Sequence, residues 1–496
     1  MTEHLPALIV VVPLLTSFLI FALGWLKKDL CFPVGLFGLA VAASSCMGLL
    51  LRVMRWGPVT YKLGGWEAPW GIVYVVDTLN GMVLAAVAFS ALIQWIWSGP
   101  SVKRHFQDRL GALYGLQMLF VTGLLGMTVT GDAFNLYVLL EIASITAYAL
   151  IAMGPERASL SSLNYVFMGT LGACFYLLGV GYLYIMTGTL NMADLARLIT
   201  GLHGSRAIQV AFIITMVGLW LKMAFFPLHG WLPNAYTHAP YPISGLIAPL
   251  MTKVMVYVMI RIDLNVFGPV YSFEKMGLEK AVMWLAVLAV IMGSIMALAQ
   301  KDLKRMLTYV ILIEVGYMVG GFWLGNKSGM TGALLHLLND VFMTLCAFLA
   351  VGNLLYRLPG CSFPELKGAF SKMPFTMGAL VATALSIVGV PPTCGFFSKW
   401  YLLLGALEAE HYGFLAALIF SSLVGVVLFF RVFEWAFFST QEHEEGEHHL
   451  SHTFQEAPVQ MVVPVLLVAG GLVVLGVFSG EIVSGIVEPV IPLTFS

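Results

Sequence analysis

The sequence predicts an all-α polytopic membrane protein of about fourteen transmembrane helices. Three observations predict it. Of the 496 residues, 59% are hydrophobic and only 10% charged, and the mean hydropathy is +0.90; soluble proteins carry about 25% charged residues. Apolar runs of membrane length follow one another, joined by short polar connections such as 99–110, 194–206 and 301–305. Prolines also stand beside a mid-run lysine in two successive runs, Lys222 with Pro227 and Lys253 with Pro249. Proline removes a helical hydrogen bond, and broken backbone at membrane depth survives only inside protein or beside a wet cavity.

The runs lie at roughly 5–24, 33–54, 72–98, 112–130, 133–153, 161–187, 208–228, 240–262, 281–300, 306–325, 331–356, 376–409, 412–438 and 459–480, each long enough to span. The first has no basic leader and no small-residue cleavage site, so it reads as a retained helix. Asp132 and Asn135 open helix 5 as capping residues. Gly169, Gly172, Gly179 and Gly181 mark close helix packing on helix 6. Pro249 in helix 8 predicts a second kink or break, next to Lys253. The loop QEHEEGEHHLSH at 441–452 reads as a solvated acidic loop rather than a metal site.

The chain also looks doubled. Helix 5 carries Glu141 and helix 10, five spans later, carries Glu314; helix 7 carries Lys222 and helix 12 carries Lys399. This gives an N-terminal three-helix segment (1–111), a first repeat of helices 4–8 (112–262) and a second, inverted repeat of helices 9–13 (281–438). The loop and C-terminal helix fill 439–496. Inverted repeats place their sites at the repeat interface.

Composition excludes several roles. A net charge of −1 offers no basic stripe for nucleic acid. No phosphate loop, dinucleotide fingerprint or iron–sulfur spacing is present, and the six cysteines (31, 46, 174, 346, 361, 394) form no CxxC pair. The sequence therefore implies no cofactor, no metal ion and no catalytic chemistry of its own.

What remains is a short set of charges inside the membrane, where such residues are costly and mark ion pathways. Glu141 and Lys222 are expected to pair, since a pair that opens and closes changes the proton affinity of both members. A static pair could be replaced by apolar packing at little cost. Lys253 and Lys399 have no carboxylate one turn away on their own helices, so a hydrated cavity or a neighbouring subunit is expected beside them. His336 and Asp340 share a face of helix 11, and a histidine suits a proton relay. His229 follows the helix 7 break, and Arg431 and Glu434 are expected to form a surface pair or an exit route on helix 13.

Four stretches carry a resemblance: GDAFNLYVLLEIASITAYALIAM, LKMAFFPLHGWLPNAYTHAPYPISGLIAPLMTKVMVYVMIR, ALAQKDLKRMLTYVILIEVGYM and GVPPTCGFFSKWYLLLGAL. Over roughly 70–430 the chain resembles the proton-translocating antiporter-like family. That family comprises the large membrane subunits of respiratory complex I, related subunits of membrane-bound hydrogenases, and the A and D subunits of Mrp-type Na+/H+ antiporters. The GDAFNLYVLLE form and the length look most like the Mrp D branch. The resemblance implies fourteen helices in which helices 7 and 12 are broken, two inverted five-helix repeats, a bacterial or archaeal cell membrane, other membrane subunits as partners, and protons, with sodium a second candidate, as the ions moved. Residue by residue it assigns Glu141, Lys222, Lys253, His336 and Lys399 to the proton pathway. Asp340 and Thr344 stand where many relatives carry histidine and lysine, and Glu314 where the position is usually uncharged. Glu314 and Asp340 are therefore expected either to join the path or to mark its alteration. A free-standing secondary transporter of a small solute is the alternative function.

Overall fold

The computed structural model describes residues 4–437 and 455–492, so the acidic loop at 441–452 lies outside the described residues. Three helices come first: α1 (Leu5–Leu26), α2 (Cys31–Trp56) and α3 (Thr78–His105). A two-stranded antiparallel hairpin, β1 (Val59–Lys62) and β2 (Val73–Val76), lies between α2 and α3 with Val59 opposite Val76. Next are α4 (Leu110–Val129), α5 (Ala133–Ala152), α6 (Ala158–Thr187), α7a (Arg206–Lys222), α7b (Leu232–His238) and α8 (Tyr241–Ile262). The second half holds α9 (Glu279–Leu298), α10 (Leu303–Trp323), α11 (Lys327–Arg357), α12a (Pro374–Val388), α12b (Cys394–Glu408) and α13 (Tyr412–Phe437). Helix α14 (Val459–Val477) closes the bundle. Among the described residues twelve helices are long and apolar enough to cross a membrane. The broken α7 and α12 complete the expected fourteen.

Helix 7 ends at Lys222, five residues before Pro227, and Ala224 takes a left-handed φ of 59°. The following Gly230 and Pro233 prevent the helix from resuming at once. Helix 12 ends at Val388 with Gly389 at φ 91° and resumes at Cys394. Helix α8, by contrast, runs as one element through Pro249, against the expected break. A lone proline in a long apolar helix costs one hydrogen bond and can be accommodated by packed neighbours.

Asp132 accepts from the Asn135 amide (2.7 Å) at the start of α5, and Asp302 accepts from the Arg305 amide (2.8 Å) at the start of α10. Each cap is also pinned to the strand-like segment after the next helix. Ala133 N donates to Leu190 O and Met192 N to Gly131 O, both at 2.9 Å; Leu303 N donates to Cys361 O (2.9 Å) and Phe363 N to Lys301 O (3.0 Å). The same device thus recurs five spans later, and an odd number of crossings puts the two copies on opposite membrane faces. Helix α1 lies on the outside of the bundle, with Leu15, Phe18 and Leu19 exposed, whereas α8, α10 and α11 are its most buried spans. A charge on those three helices is therefore a charge at the centre of the protein.

Candidate functional site

Lys222 is fully buried at the C-terminal end of α7a, where free carbonyls favour a cation. Its Nζ donates to Ser144 Oγ (2.6 Å) and lies 3.4 Å from Tyr148 Oη. Ser144 passes its own hydrogen to Leu140 O (2.7 Å). The expected Glu141–Lys222 pair is not closed: among the described residues no ion pair within 4.0 Å joins them, and Glu141 Oε1 has no hydrogen-bond partner. Ser144 and Tyr148, one and two turns beyond Glu141 on α5, take the place of the carboxylate. Gly169 on α6 makes room for this arrangement, since a Cβ there would stand 2.0 Å from Tyr148 Oη. Gly172 and Gly179 are likewise crowded by α7a, whereas Gly181 faces open space and needs no packing explanation.

Lys253 corrects a second expectation. It is not unpartnered but lies 3.1 Å from Asp340 Oδ2 on α11, with both side chains buried. Thr344 Oγ1 (3.1 Å) and Ala248 O (3.3 Å) complete its surroundings, and Thr344 donates to Asp340 Oδ1 (2.7 Å). The two residues that depart from the family pattern on α11 are thus the partners of Lys253. One turn back along the same stripe, His336 Nε2 contacts Glu314 Oε2 of α10, and Nδ1 lies 2.8 Å from Ser398 Oγ of α12b. Ser398 donates to Gly395 O (3.2 Å). His336, Asp340 and Thr344, spaced by four residues, form one face of α11.

Lys399 on α12b reaches back across the break. Its Nζ donates to Ile387 O (2.6 Å), at the C-terminal end of α12a, and to Ser422 Oγ (3.2 Å), and stands 4.9 Å from the centre of the Tyr317 ring. Lys399 thus places its cation on the C-terminal carbonyls of a half-helix, the placement transporters use for cations, whereas Lys222, the last residue of α7a, is held by hydroxyls of α5. Lysine before proline in α7 and after it in α12 gave only the count of charges and breaks. Tyr317, Ser398, Ser421 and Ser422 were not anticipated; the only signal was Tyr317 one turn after Glu314.

The remaining candidates stand apart. His229 is half-buried after the α7 break, its ring stacked on Phe226 at 5.3 Å and Nδ1 without a partner. Arg431 does not pair with Glu434. Its guanidinium donates to Leu298 O (2.7 Å) and Gln300 O (3.2 Å), the unsatisfied carbonyls after α9, while Glu434 is exposed. Lys304, by sequence a loop residue, is buried and donates to Ala239 O (2.6 Å) at the end of α7b, tying the two halves together. Among the described residues no cluster of three histidine, cysteine or acidic side chains could hold a metal ion.

The family described as NADH:quinone oxidoreductase/Mrp antiporter, membrane part, matches residues 130–425. A relative from Desulforudis audaxviator, an N subunit of NADH-quinone oxidoreductase by name, is 43% identical, covering 99% of both chains. The D subunit of the Na(+)/H(+) antiporter of Bacillus subtilis is 30% identical over 89% of this chain and 88% of its own. Among solved structures, a chain of the archaeal membrane-bound sulfane sulfur reductase superposes with a TM-score of 0.88 at 28% identity, covering 97% of this chain and 96% of its own. These matches span well over half of the sequence and the whole bundle. The chain belongs to the NADH:quinone oxidoreductase/Mrp antiporter family and is one of its antiporter-like integral membrane subunits.

Proposed function

We propose that this chain carries protons through the membrane along Glu141, Lys222, Lys253, His336 and Lys399, with Asp340 and Glu314 as working members of the same path. The observation that supports this most is the buried line at the centre of the bundle. Lys253 faces Asp340, Asp340 stands one turn from His336, and His336 contacts Glu314, all on α8, α11 and α10. Bases and acids alternate along it, so a proton leaving one member is taken up by the next without stranding a buried charge. The two acids do not interrupt the route; each supplies the counter-charge for a base.

A proton enters beside the α7 break, where His229 stands, and moves from Lys222 to Lys253. Glu141 lies outside the closed contacts of Lys222, so it is free to respond to a neighbouring subunit, and its approach or withdrawal changes the proton affinity of Lys222. The chain works as one membrane subunit of a larger assembly, either a cation/proton antiporter or an ion-pumping redox complex. The family's membership favours this over a free-standing solute transporter. The test is proton uptake by inverted vesicles containing the assembled complex, followed with a pH-sensitive dye. Lys222→Ala, Glu314→Gln and Asp340→Asn should each lower uptake at least tenfold with assembly intact; unchanged uptake in the last two would remove the acids from the path.

A further inference from the structure

We propose that Tyr317 hands the proton from the His336–Glu314 pair to Lys399 and closes the route between hand-overs. The proposal rests on the proton-carrying reading above and adds a residue that neither the charge pattern nor the family resemblance singles out. The Tyr317 ring is fully buried on α10, one turn beyond Glu314. It meets the His336 ring edge-on at 5.4 Å and has the Lys399 ammonium 4.9 Å from its centre. The ring thus touches the last two bases of the route. A ring carbon can neither accept nor give a proton, so a relay meeting that ring is shut. The only group on Tyr317 that can carry one is its hydroxyl, which is held on Ser421 Oγ of α13. Ser421 gives its own hydrogen to Ala417 O (2.8 Å), so the phenol donates. The next residue, Ser422, holds Lys399. Two consecutive serines on α13 therefore anchor both sides of the junction.

Ser398 offers no way round. It reaches His336, but its hydrogen is directed to Gly395 O rather than towards Lys399. The charge on Lys399 is part of the latch, because only the ammonium is attracted to the ring face. Once Lys399 has released its proton, that attraction ends and the amine no longer needs the Ile387 carbonyl. The side chain of Tyr317 then turns its hydroxyl from Ser421 towards the amine. The phenol oxygen accepts a proton from the His336–Glu314 pair as its own O–H bond breaks and that proton bonds to Lys399 Nζ. Tyr317 ends neutral, the pair has lost one proton, and the lysine has become an ammonium that draws the ring back. Refilling is possible only after discharge, which makes the junction a valve.

The experiment compares driven proton uptake with passive proton leak in inverted vesicles containing the assembled complex. Tyr317→Phe keeps the ring and its attraction for Lys399 but lacks the hydroxyl; uptake should fall at least tenfold while the vesicles stay tight. Tyr317→Leu removes the ring, and passive leak should rise severalfold. Ser421→Ala frees the hydroxyl without touching either base and should raise leak while part of the uptake persists. A tyrosine that only fills space predicts wild-type uptake in Tyr317→Phe, and that result, with tight Tyr317→Leu vesicles, overturns the proposal. Where uptake depends on Lys222 but is indifferent to Tyr317, the valve fails and the transport reading stands. Where uptake does not depend on Lys222, both fall.

Discussion

The surroundings of Lys222 and of Lys253 solve the problem of a buried ammonium in different ways. Lys222 is held by a serine and a tyrosine hydroxyl, with its carboxylate on α5 left unengaged. Lys253 is locked onto Asp340 and Thr344, and the neighbouring His336 onto Glu314. Neutral hydroxyls solvate a cation but do not cancel its charge, so the first site remains sensitive to any charge that approaches it. A buried ion pair is neutral and self-contained, and it transmits a change only when a proton enters or leaves. On the proposed proton path, the Lys222 site is the one suited to receive a signal and the Lys253 site the one suited to store and pass protons.

The comparison breaks most sharply at Asp340. Asp340→Ala leaves the Lys253 ammonium buried without a counter-charge and should destabilise the protein by about 3–5 kcal/mol, read as a lowered unfolding temperature of the detergent-purified complex. Replacing both partners, Lys253→Met with Asp340→Leu, should restore most of that stability while abolishing transport. The corresponding change in the first half, Glu141→Gln, should cost under about 0.5 kcal/mol, because Glu141 makes no closed contact with Lys222, yet it should impair coupled uptake. A loss as large as that of Asp340→Ala would show that the Glu141–Lys222 pair closes in the resting protein.

Packing around the first site gives a smaller effect. Gly169→Ala places a methyl against Tyr148 Oη and should cost about 1–3 kcal/mol, moving the hydroxyl that faces Lys222. Gly181→Ala on the same helix meets nothing and should be neutral or gain up to about 1 kcal/mol from helix propensity. The two repeated caps should cost similar amounts: Asp132→Ala and Asp302→Ala each remove a side-chain acceptor for a first-turn amide, at about 1 kcal/mol, and Asp302→Ala also loses the contact with the Cys361 thiol. Unequal losses in thermal melts would mean that one cap has a task beyond closing its helix.

Much of this was legible in the residues. The apolar runs, the broken helix beside Lys222 and the cap at Asp132 follow from local chemistry, whereas the break beside Lys399 came only with the family resemblance. So does the choice of Glu141, Lys222, Lys253, His336 and Lys399, because a charge in an apolar run is conspicuous whatever surrounds it. The misses share one character. Proline at 249 and proline at 227 read alike in isolation, but only the latter is followed by glycine and a second proline. Arg431 and Glu434 read as a pair because they are three residues apart, yet the arginine was taken by carbonyls of α9.

By itself, then, the sequence determined the fold class, the number of crossings and the identity of the intramembrane charges, since hydropathy and helix breaking are properties of short segments. Only the tertiary structure decided which charge meets which. Lys253 and Thr344 are 91 positions apart, Lys222 and Ser144 are 78 apart, and Tyr317 and Ser421 are 104 apart. A helix restricts its side chains to neighbours one turn away, so such partners are chosen by how the helices pack around one another.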